Sequence, residues 1–309
     1  MFRAAAGPGG TLPFARFMEL ALYHPATGYY RRDRPRVGRR READFYTATS
    51  LGPVFGELVA AACARLLEGR DPRAHTFVEI GAEPGVSVLE GVAHPFGATR
   101  TVRVGEPPGL SGDCVVFSNE LFDAQPFTRT VFRRGRWWET GVTLEDDRLV
   151  ETELPFDGDE GPAPEDYRFD RPLAAAALAD TIAAQPWRGL FVAFDYGKPL
   201  AELLAHTPAG TARAYFRHQM SDDLLARPGE QDLTCHVCWD WLSAALGRRG
   251  FAAPRLDFQE TFLVRNALTA LAAASEAEAG GLSARKLALL QLLHPSGLGQ
   301  KFQVLHALR

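Results

Sequence analysis

The stretch "TFVEIGAEPGVSVLEG", residues 76–91, decides the fold. An apolar, β-rich run closes on Glu79 and Ile80, Gly81 and Gly85 bracket a turn, and a helix is expected to open at Val86 and Ser87. A strand, a glycine turn and a helix start make a ligand cradle. The glycines let a ligand approach the backbone, and the N–H groups of a helix start can hold an anionic group. Glu79, Gly81 and Gly85 are the cofactor-binding candidates this stretch supplies.

The same loop restricts what the cradle can hold. The Rossmann dinucleotide signature needs a glycine two residues after the first, and Glu83 stands there. A pyrophosphate facing that carboxylate would be repelled by about 4 kcal/mol at a separation of about 4 Å and an effective dielectric of about 20. NAD and FAD, and an oxidoreductase that uses them, are disfavoured. S-adenosylmethionine has no pyrophosphate and carries a sulfonium cation, so an acid-rich strand end with a tight turn suits it better.

Two further runs, "CVVFSNE" (114–120) and "GLFVAFDYG" (189–197), read as buried strands. Three buried strands with acid or amide groups at their carboxyl ends argue for a parallel sheet in an α/β layer fold, with ligands at those ends. "FSNELFDAQPF" places Asn119, Glu120 and Asp123 directly after the second strand, and these are the catalytic candidates. A carboxylate there can orient a nucleophilic nitrogen and take up positive charge as a methyl group arrives. A guanidinium would suit such a site, being planar and bidentate toward carboxylates. In the plainer reading, Glu120 or Asp123 caps the turn or helix that follows.

Upstream, "LPFARFMELALY" (12–23) has helical spacing and should stop before Pro25 and Gly28. "RRDRPRVGRRR" carries seven arginines in eleven residues and no aromatic, and reads as a solvated loop. Residues 52–68 read as a helix with Pro53 in its first turn. Between the second and third strands lie roughly seventy residues, too many for a plain loop; their "TVFRRGRWWETGVTLEDDRLVETELP" alternates like a β-meander and "PLAAAALADTIAAQP" is helical. Further on, "GTARAYFRHQ" and "QETFLVRNAL" suggest strands, "CWDWLSAALGRRGF" a helix ending at Gly250, and "LSARKLALLQLLHP" a helix capped by Ser283.

Composition adds exclusions. A formal net charge of -4 over 309 residues gives no global reason to expect nucleic acid or a membrane surface as partner. No run approaches the roughly 20 apolar residues of a bilayer span, and the N-terminal residues lack the pattern of a secretory signal. Four scattered cysteines do not make a disulfide framework, so a cytoplasmic protein is expected. "CHVC" (235–238) lacks the second pair that a structural zinc site wants, so no metal is expected. Trp137 and Trp138 read as packing residues.

Several stretches together resemble the MidA family of proteins with the class I S-adenosylmethionine-dependent methyltransferase fold, whose mitochondrial members assist complex I assembly. They are "ARFMELALYHPATGYY" (15–30), "DFYTATSLGPVFGELVA" (44–60), "VEIGAEPG" (78–85), "FSNELFDAQP" (117–126), "FDYG" (194–197), "TARAYFRHQ" with "GEQDLTCHVCW" (211–239), and "LGQKFQVL" (298–305). They occur in order along nearly the whole chain. The resemblance implies a Rossmann-like α/β core, an N-terminal helical cap and substrate-covering regions, with methyl transfer to a protein arginine. Asp232 and His236 match a polar motif of the family, and they either line the mouth of the site or serve the structure.

The chain departs from the family at Glu83, at "TATS" (47–50) where the family has "TAPE", and between Gly85 and Asn119, a segment about half the length the resemblance implies. In one alignment of that segment "VRVGEP" is the ribose-binding strand and Glu106 its acid, about 25 residues after Gly81 and near the spacing of nucleotide folds. In the other it is the next strand and the ribose acid is gone. One edge of the sheet has lost elements either way.

The expected organisation is an N-terminal helical cap over 1–75, a methyltransferase-like core over 76–205 with an insertion at about 128–188, and a C-terminal region over 206–309. The expected cofactor is S-adenosylmethionine, held by Glu79, Gly81, Gly85 and Glu106. The expected partner is a protein substrate, with a homodimer as the oligomeric state to test. The rival reading is an inactive binding or assembly factor that has given the cofactor up.

Overall fold

The structure, a computed structural model, describes residues 2–32, 36, 48–277 and 283–309. Most of the arginine-rich loop and residues 44–47 of the family-like stretches lie outside them.

Six strands form the central sheet: β1 (Thr76–Ile80), β2 (Ala98–Val102), β3 (Gly112–Asn119), β4 (Trp187–Asp195), β5 (Arg255–Phe258) and β6 (Gln303–Leu308). Their order across the sheet is β5-β6-β4-β3-β1-β2. The first four run parallel, and β6 and β5 close the other side antiparallel. The three strands expected from the sequence lie side by side at the centre of this sheet.

Side chains alternate across the sheet with the two-residue period of a strand. Phe77, Val115, Phe117, Leu190, Val192 and Phe194 face the helices Pro53–Leu66, Gln259–Asn266 and Ala284–Leu293. Val78, Val116, Phe191 and Ala193 face the helices Leu173–Ala183 and Trp239–Arg248. The result is a helix–sheet–helix sandwich whose central parallel strands β1, β3 and β4 are buried on both faces, while β2 forms an exposed edge.

Two expectations fail here. No helix follows the glycine turn: residues 86–97 run through turns and coil directly into β2. Only twelve residues separate Gly85 from β2, and Gly91 and Pro95 fall among them, so a helix could not reach a useful length. "QETFLVRNAL" is not a strand but the helix Gln259–Asn266, which buries Gln259, Phe262, Leu263 and Asn266 at helical spacing. The strand in that region is the shorter β5 just before it.

The segment between β3 and β4 supplies the meander, Thr128–Arg133, Arg136–Glu145 and Arg148–Leu154, followed by Arg168–Arg171. The N-terminal strand Thr11–Pro13 adds to it through Arg136–Glu145. The helix Phe14–Tyr23 then packs Phe14, Phe17 and Met18 against Phe127 and Val142. Arg213–Phe216, Gln219–Ser221 and Asp232–Thr234 form a small three-stranded sheet beside it. Trp137 is buried, as a packing residue would be, and donates its indole N–H to Gly161 O at 2.8 Å. Among the described residues no helix is long and apolar enough to cross a membrane.

Candidate functional site

A cavity of about 750 Å³ lies over the carboxyl ends of β1 to β4, walled on the far side by the N-terminal segment and the small sheet. That volume is in the range of small-molecule sites. Glu79, Gly81, Glu106, Asn119, Glu120 and Asp123 all line it, and so do Asp232, Thr49 and Ser50. Gly85 does not. It sits at φ 73° with nothing within 4 Å of where a Cβ would be, so it shapes the turn without facing the cavity. His236 is also outside the lining; burial lowers its imidazole pKa to about 4 and keeps the ring neutral.

One end of the cavity is the cradle. Gly81, at φ 88°, donates its N–H to Val102 O at 2.9 Å, and a Cβ there would come within 3.0 Å of the Leu121 side chain. Glu79 has a structural task. Its Oε2 accepts the Ser87 hydroxyl and the Val88 N–H, both at 2.8 Å, which pins the turn where a helix was expected. Burial raises the Glu79 carboxyl pKa against the pull of those two donors.

Beyond β2, Glu106 accepts the Arg103 N–H at 2.8 Å and lines the cavity. β2 pairs directly with β1, which both alignments of the shortened segment allow, since loss of the ribose-binding strand would bring the next strand beside β1 as well.

Glu83 is not an isolated carboxylate. Arg36, 3% exposed, donates to Glu83 Oε2 from Nη2 at 2.8 Å and from Nε at 3.1 Å. The repulsion of about 4 kcal/mol expected from a bare carboxylate is therefore offset, and that argument against dinucleotides loses its force. Arg36 is also an exception to the solvated loop expected around it.

At the opposite end lies an acidic pocket. Asp195, wholly buried at the end of β4, accepts the Phe122 N–H at 2.8 Å, the Asp123 N–H at 3.4 Å and the Tyr196 N–H at 2.9 Å. Asp195 grips that turn from the neighbouring strand, and the Ala124 N–H favours the ionised Asp123 carboxyl within it. Glu120 sits at φ 53°, a strained conformation for a non-glycine residue, with its N–H on Phe194 O at 2.9 Å. The Asn119 amide donates to Glu120 Oε1 at 2.9 Å.

Burial pushes the Glu120 carboxyl up to about 8, Asn119 pulls it back, and Asp195 and Asp232 add repulsion. Burial and the neighbouring Asp195 raise Asp123 well above the carboxylate range. Burial raises Asp195 as well, against three backbone N–H groups that favour its ionised form. Among the described residues Asn119 Oδ1 and Asp123 Oδ1 are buried without a hydrogen-bond partner. Buried acceptors left open at a cavity wall suit a ligand that brings N–H donors.

Tyrosines complete this end. Tyr30 donates its hydroxyl to Asp232 Oδ1 at 2.9 Å and stacks on Tyr23 with ring centroids 5.5 Å apart; Tyr23 donates to Ala124 O at 2.8 Å. Tyr196 and Tyr215 line the same end. Of the residues that build the site, Arg36, Asp195 and the tyrosines escaped the sequence reading. Asp195 and Tyr196 do fall within "FDYG", where a strand-terminal acid was the available signal.

A small molecule with a nucleoside and a cationic centre fits this cavity. Glu106 and the Gly81 turn offer hydroxyl and backbone contacts, and the acid-rich wall favours positive charge. The sequence model of the family described as "Putative S-adenosyl-L-methionine-dependent methyltransferase" matches residues 101–255. A Burkholderia thailandensis member of the COG1565 superfamily, crystallised with S-adenosyl-homocysteine, superimposes with a TM-score of 0.85 at 27% identity, over 99% of this chain and 89% of that one. A native COG1565 superfamily structure from the same organism gives 0.81 at 25% identity, with the same coverage. No curated protein matches the chain.

Proposed function

Since the chain belongs to this S-adenosyl-L-methionine-dependent methyltransferase family, we propose that it is of the MidA kind and methylates a protein side chain, arginine being the acceptor the site suits best. The observation that carries this reading is the pair of open, buried acceptors, Asn119 Oδ1 and Asp123 Oδ1, beside the raised Glu120 carboxyl.

S-adenosylmethionine, when bound, supplies a methyl group made electrophilic by its sulfonium. The chain's own residues place the nucleophile. Asn119 and Asp123 accept N–H bonds from the acceptor group, and Glu120, with its pKa near operating pH, is suited to take the proton the nitrogen gives up as the N–C bond forms. The tyrosine faces shield the cation from water and interact with its charge. Gly81 and Glu106 hold the nucleoside end, and Glu79 keeps the turn between them in shape. We read the N-terminal segment around Tyr23 and Tyr30 and the small sheet with Tyr215 and Asp232 as the walls that receive the substrate, and the protein as cytoplasmic; its four cysteines are all unbridged.

The test is tritium transfer from methyl-labelled S-adenosylmethionine to a mixed protein substrate, followed by acid hydrolysis and amino-acid analysis. Label in methylarginine, lost in Asp123→Asn, is the expected result. Label in another residue moves the acceptor to that residue. Binding of S-adenosylhomocysteine with no transfer to any protein would favour the rival binding factor, which the shortened segment before β2 suggests.

A further inference from the structure

We propose that the Arg36–Glu83 pair is the subsite for the amino-acid end of the cofactor, Arg36 receiving its α-carboxylate and Glu83 its α-ammonium. The inference rests on the cofactor reading above and concerns residues that the family pattern does not supply, since Glu83 stands where a glycine is usual.

Both residues line the cavity on the Gly81 side. An amino-acid end is a zwitterion, so a lone cation in the wall would attract its carboxylate and repel its ammonium. An arginine and a glutamate side by side match both charges. The Arg36 fork is held in place from several directions: Nη1 donates to Tyr29 O at 3.3 Å and Arg32 O at 2.8 Å, Nε and Nη2 to Glu83, and the Tyr30 ring centroid lies 5.6 Å from the guanidinium carbon. Of the five N–H donors of a guanidinium, contacts among the described residues use four, which leaves one on Nη2 for a carboxylate. With the Arg36 side chain 2% exposed, charge recognition occurs away from bulk water, where it is strong.

Other cavity-lining guanidiniums have other places. Arg31 donates to Val104 O at 3.1 Å beyond β2, Arg32 pairs with Glu230, and Arg103 directly follows β2 in the turn closed by Glu106. Arg36 is the one tied to the loop that replaces the glycine-rich turn. The substitution of Glu for glycine is then matched by a cation brought from the N-terminal segment.

Calorimetric titration of the full chain with S-adenosylhomocysteine and with 5′-methylthioadenosine, which lacks the amino-acid end, separates the possibilities. The wild type should bind the former more tightly. Arg36→Met should weaken S-adenosylhomocysteine by about 10- to 100-fold, the scale of a lost charged hydrogen bond, and leave methylthioadenosine within about 3-fold. Glu83→Gln, which keeps the shape of the pair, should show the same selective loss. Equal loss of both ligands would mean the pair only holds the N-terminal segment in place, and unchanged S-adenosylhomocysteine binding would also overturn the proposal. If the wild type binds neither ligand, the cofactor reading itself fails.

Discussion

Asp195 Oδ2 accepts the backbone N–H of Phe122 at 2.8 Å, so the turn that carries the acceptor-facing groups hangs from the adjacent strand. Asp195→Ala would leave three backbone donors unsatisfied in a buried place. The expected cost is about 3 kcal/mol or more, at about 1 to 3 kcal/mol for each buried unsatisfied group, seen as a lower urea midpoint. A midpoint unchanged from wild type would show that the turn is held by other contacts.

The two cradle glycines should behave differently. Gly81→Val puts a β-branched side chain at φ 88° and against Leu121, and should abolish the rise in melting temperature that S-adenosylhomocysteine gives the wild type. Gly85→Ala strains the turn by about 1 kcal/mol but points into open space, so ligand affinity should stay within about 2-fold. Thermal shift and calorimetry on the two variants check the contrast.

Glu106→Ala should weaken S-adenosylhomocysteine by about 10-fold or more, the value of hydrogen bonds that sugar hydroxyls donate to a carboxylate. A deoxyribose analogue should be less sensitive to the substitution. Equal sensitivity of the two ligands would argue that Glu106 acts only by shaping the loop around Arg103.

Glu120 predicts how stability depends on pH. Its folded-state pKa, about 8, lies above the ordinary 4.5, so the folded protein keeps a proton that the unfolded chain releases. Its contribution is full below pH 4.5 and is lost as pH rises through about 8, at up to about 1.4 kcal/mol per pH unit. Asp123 and Asp195, also raised, act in the same direction. Urea unfolding of the ligand-free protein between pH 5 and 9 should show the decline, with Glu120→Gln making it shallower.

The sequence alone determined the centre of the sheet. β1, β3 and β4 are apolar runs of strand length that end abruptly in polar residues, and such runs carry their own signal. Glu79, Gly81, Glu106, Asn119, Glu120 and Asp123 could be named because a parallel sheet exposes the carboxyl ends of its strands, so position along the chain already gave position at the cavity.

Contacts between distant segments were decided only by the tertiary structure. Local pattern suggested a helix after Gly85, but the short path to β2 prevented it, and Glu79 pins the resulting turn in its place. The helix Gln259–Asn266 read as a strand because its β-branched and aromatic residues outweighed a helical period completed by two buried polar side chains, Gln259 and Asn266. Arg36 meets Glu83 across 47 residues of chain and Asp195 meets Phe122 across 73, and no local pattern specifies such pairs. A charge's effect depends on the partner and burial that folding gives it, which is why Glu83 reads as a lone carboxylate in the sequence and as half of an ion pair in the folded chain.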